Sequence, residues 1–200
     1  KPSLDNSEKE LVFSVPSGNF GNICAGMVAR EMGLPVTHFI AATNANKVVP
    51  NFMKNGTYQA EKSVATISNA MDVGDPSNFV RILQMNQNEH SILEKGFSAY
   101  SYTDQETKKA MRTIAQEYNY TADPHGAIGY LGLIEYQKDH PNTYGVFLET
   151  AHPVKFLEVV EETLGKTLTI PTKIVEVLSK QKQATKISDY QGLKSFLMQE

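Results

Sequence analysis

Leu11-Val12-Phe13-Ser14-Val15-Pro16-Ser17-Gly18-Asn19-Phe20-Gly21-Asn22 is the stretch that decides the fold. Leu11 to Val15 is a short apolar, β-branched run of strand length. It stops abruptly at a turn carrying two glycines. Apolar residues then recur at Ile23, Met27, Val28 and Met32 with helical spacing, until Gly33 and Pro35 end the helix. Val36 to Ala42 reads as a second strand. Strand, glycine-rich turn, helix, strand is a βαβ unit, which implies a parallel sheet and a right-handed crossover.

Outward from this unit the elements are less regular. Val48 to Lys54 reads as a short helix and Ser63 to Val73 as a polar, irregular stretch. Pro76 to Met85 reads as a helix with Asp75 as N-cap and Pro76 in the first turn. Phe97 to Tyr102 is a strand. Thr103-Asp104-Gln105-Glu106 has the capping-box pattern and opens a helix to about Glu117. Asp123-Pro124-His125 opens another, ending near Asp139. Tyr144 to Leu148 is a further strand, followed by Thr150-Ala151-His152-Pro153 and a helix to Leu164 that Gly165 stops. The class is α/β: an open, mainly parallel sheet of about four strands with flanking helices, part of a larger sheet. Residues 1–10 read as a polar lead, 11–165 as the α/β domain and 166–200 as a helical extension of two small helices with a Lys-rich link.

The 200 residues suffice to bury a substantial core. The 19 Lys and Arg are scattered among 22 acids, with a formal net charge of -3 and no basic run, so no nucleic-acid face is expected. An anionic ligand must then be held by a local site. The single cysteine, Cys24, lies in an apolar run and reads as a buried structural residue. With no disulfide, no signal-peptide pattern and no run approaching the roughly 18 apolar residues of a membrane span, a cytoplasmic location is expected. The five His lack metal-ligand spacing, so no metal is expected. The chain begins with Lys1, which suggests a cut-down product.

The turn Ser17-Gly18-Asn19-Phe20-Gly21-Asn22 carries the site signal. Its glycines permit a tight turn and close approach to a ligand. The helix after it offers free N–H groups and the positive end of its dipole, together a main-chain phosphate cradle. On spacing alone an ordinary βα turn reads equally well. No Lys-Ser/Thr follows, so it is not a Walker A loop, and the third glycine of the dinucleotide fingerprint is absent.

The segment Val15 to Asn22 resembles the phosphate-binding loop of threonine synthases, within the fold-type II (tryptophan synthase β-like) pyridoxal-phosphate enzymes. Phe39 to Asn44, Ser68 to Asp72, Asp123 to His125 and Thr150 to Phe156 resemble segments of the same family in the same order. The resemblance implies that Gly18, Asn19, Phe20, Gly21 and Asn22, with Ser17 beside them, hold the phosphate of pyridoxal 5'-phosphate. It also implies that Thr150 meets the pyridine nitrogen. A neutral hydroxyl there leaves that nitrogen less firmly protonated than a carboxylate would and suits elimination and replacement chemistry. The implied reaction converts O-phospho-L-homoserine and water to L-threonine and phosphate.

One departure is decisive. The family's cofactor-bonding lysine lies upstream of the phosphate loop in a Phe-Lys-Asp context, as does a Ser-Gly-Asp-Thr-Gly type substrate loop, and neither is in this sequence. Only Lys1 and Lys9 precede the loop. Lys138-Asp139 copies the dipeptide at a helix end and reads as surface. The chain is therefore expected to be a C-terminal half without a catalytic residue of its own. It would be inactive alone, functional only with the missing N-terminal half, and prone to self-association through an uncovered edge.

Four further residues are substrate candidates, each with a plainer alternative. Asn69 and Asp72 line the substrate or stabilise their loop. Arg81 binds the substrate phosphate or makes an exposed ion pair. His152 reaches the cofactor or caps a helix, and His125 has the same two readings. The rival functions are another fold-type II lyase, such as a threonine dehydratase or cysteine synthase, and a non-catalytic module that binds a phosphorylated small molecule.

Overall fold

In the computed structural model, residues 9–178 and 180–198 are described. Most of the polar lead expected over 1–10 lies outside them. The chain divides into two compact units, the first ending at Leu168 and the second beginning at Thr169.

The first unit is built on four parallel strands: β1 (Glu10–Pro16), β2 (His38–Thr43), β3 (Phe97–Ser101) and β4 (Thr143–Phe147), in the order β3-β2-β1-β4. Register places Phe13 beside Phe39, and Phe39 beside Phe97. Strand side chains alternate between faces, and each face has its own cover. Val15, Phe39, Ala41, Phe97 and Ala99 pack with α1 (Gly21–Glu31), α2 (Val48–Asn55) and α3 (Phe79–Met85) through Ile23, Met27, Phe52, Phe79 and Ile82. Val12, Ile40 and Ala42 face α6 (Pro124–Asp139) through Ile128, Leu133 and Tyr136. α6 lies so close to the sheet that the Ser14 hydroxyl donates to the Gly129 carbonyl at 2.6 Å. β2 is buried along its whole length, as a central parallel strand covered on both faces must be.

Between β2 and β3 the chain forms α2, a 3-10 turn at Asn69–Met71, α3 and a one-turn helix, α4 (His90–Leu93), which the sequence reading did not include. α3 begins later than the sequence suggested. Its N-cap is Asn78, and Asp75 instead accepts the Tyr58 hydroxyl at 2.7 Å. The run Asp75-Pro76-Ser77-Asn78 offers several polar residues able to end a loop, so its pattern underdetermines which one caps. α5 (Asp104–Tyr118) opens on the expected Thr103–Glu106 capping box, and α6 on Asp123 as N-cap with Pro124 in its first turn. After β4 a 3-10 turn (Pro153–Phe156) leads into α7 (Leu157–Leu164), which ends at Gly165 with φ 62°.

The second unit holds α8 (Thr172–Leu178) and α9 (Tyr190–Leu197). Asp189 caps α9 by accepting the Gly192 N–H at 2.8 Å, and α9 buries none of its residues.

Candidate functional site

β1, β2 and β3 step outward in one direction, whereas β4 returns to the other side of β1. The sheet thus has a switch point between β1 and β4. In open α/β sheets the crevice at the carboxyl ends of strands flanking such a point is where ligands bind. The chain leaving β1 there is Ser17 to Asn22, and the chain leaving β4 is Leu148 to His152.

Ser17 is fixed by its own N–H, which donates to the Ala42 carbonyl at 2.8 Å, and by its hydroxyl, which donates to Val15 O at 2.8 Å. Beyond it, the amides of Gly18, Asn19, Phe20, Gly21 and Asn22 have no acceptor among the described residues. α1 has no side-chain cap and no acid in its first turn, so nothing competes for the open N–H groups or offsets the dipole. Main-chain donors converging at a helix start, with no acceptor of their own, form an anion cradle.

The cradle is held by three contacts. Phe20 adopts φ 60°, ψ 14°, a left-handed conformation that is costly for a bulky residue. Its ring is buried and packs edge-on to Phe79 at 5.6 Å, which offsets that cost. On the loop's outer side Asn19 Oδ1 accepts the Ser77 N–H at 2.7 Å and its hydroxyl at 3.0 Å, while Asn78 Nδ2 donates to Asn19 O at 3.0 Å. From behind, Met71 comes so near that a Cβ on Gly18 would sit 2.7 Å from Met71 Cα. Position 18 therefore has no room for a side chain.

Met71 is held in turn by a buried polar network. The Asp72 carboxylate accepts the Thr66 hydroxyl at 2.7 Å, the Thr66 N–H at 3.1 Å and the Asn44 amide at 2.9 Å. Asn46 closes the network by accepting the Val64 N–H at 2.8 Å and donating to Asn44 Oδ1 at 2.9 Å. Asp72 thus fixes the turn behind the Gly18–Asn22 loop.

Asn69 is exposed and lines a cavity of about 640 Å³ with Thr66, Asp104, Lys155 and Phe156; the Gly18–Asn22 loop does not line it. Arg81 lies exposed on α3, where its Nη1 donates to Asn78 Oδ1 at 2.8 Å, so it braces the residue that braces Asn19. Thr150 is exposed just past β4. His152 Nδ1 accepts the Val154 N–H at 3.1 Å and caps the 3-10 turn. His125 is buried, with Nδ1 2.6 Å from Asp123 Oδ1. Loop, Asp72 turn and Thr150 therefore all lie at the carboxyl ends of the strands.

Ser77 and Asn78 were not singled out from sequence, nor was the neighbourhood of Glu149. Glu149 Oε1 accepts the Asp123 N–H at 3.1 Å. Burial, then its hydrogen bond with Asp123, pushes the Glu149 carboxyl up to about 8. Lys9 and Lys138 lie at the opposite end of the sheet. Lys9 is exposed before β1, about 20 Å of strand away from the loop. Lys138 is exposed in the last turn of α6, paired with Glu135 at 2.6 Å.

Among the described residues no group of three or more His, Cys, Asp or Glu is arranged to hold a metal ion. No helix among them is long and apolar enough to cross a membrane.

Comparison with known proteins converges on one family. The family model described as pyridoxal-phosphate dependent enzyme matches residues 7–148, and that described as threonine synthase, C-terminal, matches residues 126–197. The chain is 43% identical to threonine synthase of Escherichia coli (strain K12) over 171 residues, covering 85% of this chain and 39% of that protein. It is 46% identical to that of Serratia marcescens over 166 residues, covering 82% of this chain and 38% of the relative. The crystal structure of threonine synthase from Escherichia coli superposes with a TM-score of 0.84 at 38% identity, over 97% of this chain and 45% of that one. The structure of PLP-bound threonine synthase from Brucella melitensis gives 0.84 at 28% identity, over 98% and 47%. The chain thus spans about two-fifths of the length of the curated relatives it matches. A threonine deaminase from Solanum lycopersicum, at 16% identity and a TM-score of 0.53, shares the fold.

Proposed function

This chain belongs to the pyridoxal-phosphate-dependent enzyme family, and from that premise we propose that it supplies the phosphate-binding side of a threonine synthase active site. The carrying observation is the row of open amides from Gly18 to Asn22 at the start of α1, backed by Met71 and free of any acid in the helix's first turn. A dianionic phosphate fits such a cradle without a basic side chain. Ser17 anchors the loop's entry. The Thr150 hydroxyl, on the loop across the switch point, would meet the ring nitrogen.

When bound, pyridoxal phosphate supplies an electron sink for the carbons next to the substrate's amino group. This chain's own part is to bind, orient and exclude water. Asp72 holds the turn behind the loop, and Asn69, with the exposed Arg81 and His152, offers polar contacts to O-phospho-L-homoserine. Arg81 acts on the phosphate end of that substrate, where a guanidinium can bind bidentately. His152 keeps Nε2 available while Nδ1 caps its turn. The covalent lysine and the second substrate loop come from polypeptide outside these 200 residues, so the chain alone is inactive. Conversion of O-phospho-L-homoserine and water to L-threonine and phosphate would need both parts.

The exposed flank of β4 is where added polypeptide would sit. β4 is an edge strand with Tyr144 exposed, beside an apolar hollow lined by Tyr118, Tyr130, Ile134 and Phe147. An uncovered edge of this kind also favours self-association of the isolated chain.

The test is complementation. Mixing this chain with the N-terminal portion of a threonine synthase and pyridoxal phosphate should release phosphate and threonine from O-phospho-L-homoserine, with neither part active alone. Turnover by this chain without the other portion would overturn the proposal.

A further inference from the structure

We propose that Glu149 and Asp123 share a single proton, carried on Glu149, and that this carboxyl–carboxylate bond positions Thr150 at the end of β4. The inference rests on the reading of Thr150 given above and adds to it a positioning residue and a pH-sensitive latch.

Two acids meet here away from water. Asp123 is fully buried at the N-cap of α6. Its Oδ1 accepts the His125 N–H at 2.8 Å and the His125 ring Nδ1–H at 2.6 Å. Glu149 Oε1 accepts the Asp123 N–H at 3.1 Å. The second oxygen of each acid, Asp123 Oδ2 and Glu149 Oε2, is buried without a conventional donor. The Asp123 amide thus draws the Glu149 carboxyl against Asp123, and each acid is left with one buried oxygen that has no partner. Two ionised carboxylates offer only acceptors and repel, and a single proton between them relieves the repulsion and gives the unpartnered oxygens a donor. Gly126 makes the arrangement possible, because a Cβ there would overlap the Glu149 carboxyl.

The environment decides which acid holds the proton. Asp123 has two N–H donors from His125, which favour its anion; Glu149 has one donor, the Asp123 amide. Burial raises the Asp123 carboxyl, but the hydrogen bonds with His125 and Glu149 outweigh it and leave it below the ordinary range. Burial and the bond to Asp123 act together on Glu149 and raise it.

The other charged and titratable groups near the pair come from adjoining elements. Tyr120 precedes α6, and its own phenol is raised by burial and by both acids. Lys166, past α7, donates to the Thr121 hydroxyl at 2.9 Å. The Phe156 ring covers His125 at 4.5 Å. Among the described residues no Lys or Arg pairs with Glu149.

Thr150 is joined directly to Glu149, so the bond that ties Glu149 to the start of α6 also fixes where Thr150 stands. Loss of the proton places two anions in contact, expels Glu149 from the space over Gly126 and frees Thr150.

The test follows the proton itself in this chain, with carboxyl-labelled glutamate and amide NMR across a pH series. Glu149 should titrate near 8, well above the other glutamates, and the Thr150 amide should move with the same midpoint. Glu149→Gln, whose amide donates like the protonated acid, should keep the neutral-pH Thr150 position and abolish its titration. The idea is overturned if Glu149 titrates in the ordinary carboxylate range, or if Thr150 still titrates in the Gln variant. The cofactor reading is scored separately, by whether pyridoxal phosphate shifts the Gly18 to Asn22 amides; its failure would leave the shared proton standing.

Discussion

Replacing Gly18 by Ala should damage the Gly18–Asn22 loop out of proportion to the methyl group added. The new Cβ would meet Met71 Cα at 2.7 Å and the Ala70 carbonyl at 3.2 Å. Both are backbone atoms, so no side-chain rotation relieves the contact. Either the loop or the 3-10 turn must move, and the turn is tied down by Asp72, Thr66 and Asn44. Overpacking of this kind costs about 1–3 kcal/mol, and a rigid backstop puts the cost near the top of that range. For a domain of this size that lowers the melting temperature by about 5–10 °C. Moving the loop also spoils one or two hydrogen bonds to the anion, each worth about 1.5–3 kcal/mol. Affinity for inorganic phosphate or pyridoxal phosphate should then fall at least about tenfold. Thermal unfolding by circular dichroism and an NMR titration of the loop amides read the two effects. Gly56→Ala is the control: Gly56 has φ 71° but nothing within 4 Å of a built Cβ. It should cost only about 1–2 kcal/mol of backbone strain and leave affinity unchanged. A Gly18→Ala chain that melts and binds like the parent would refute the claim that Met71 shapes the loop.

Asp72→Ala should cost about 3 kcal/mol, because it strands the Thr66 and Asn44 donors, and should weaken anion binding as well; denaturant unfolding and the same titration check both. Phe20→Ala should cost about 3–5 kcal/mol in the same unfolding assay, since the buried ring is what holds a left-handed backbone in place. The pH dependence follows from Glu149. Its folded carboxyl is raised to about 8, so the native state holds the proton more tightly than the unfolded chain does. Stability should be full in acid as far as this group is concerned. It should fall as pH rises from the ordinary carboxylate range to about 8, and then level off. Allowing for partial exposure, the loss is about 2 kcal/mol. Asp123, held low, acts oppositely and loses its contribution only in strong acid. Melting curves from about pH 5 to about pH 9 should show the decline in the parent chain and little of it in Glu149→Gln.

The parallel sheet was legible because its strands are short apolar runs set between a glycine turn and helices of clear period. The capping box at Thr103 and the N-cap at Asp123 were legible because one side chain and one nearby N–H decide each. The start of α3 was not, since Asp75, Ser77 and Asn78 compete for the cap and the winner depends on Tyr58 and Asn19, distant in sequence. The glycine loop announced itself as a turn able to take an anion. What shapes it did not: Phe20 reads as an ordinary apolar residue until its positive φ and its contact with Phe79 are seen together. Nothing in the sequence singles out Glu149, an acid just after a strand. Its partner at position 123 and the vacant side of Gly126 come together only through packing of α6 on the sheet.

The most direct test of the central claim is to titrate this chain with pyridoxal phosphate and follow its amides, then treat the mixture with borohydride and weigh it. Saturable shifts confined to Gly18 through Asn22 and their neighbours, with no single lysine carrying the cofactor, are the predicted result. A cofactor fixed specifically on one lysine of this chain, or shifts that leave the loop untouched, would contradict it.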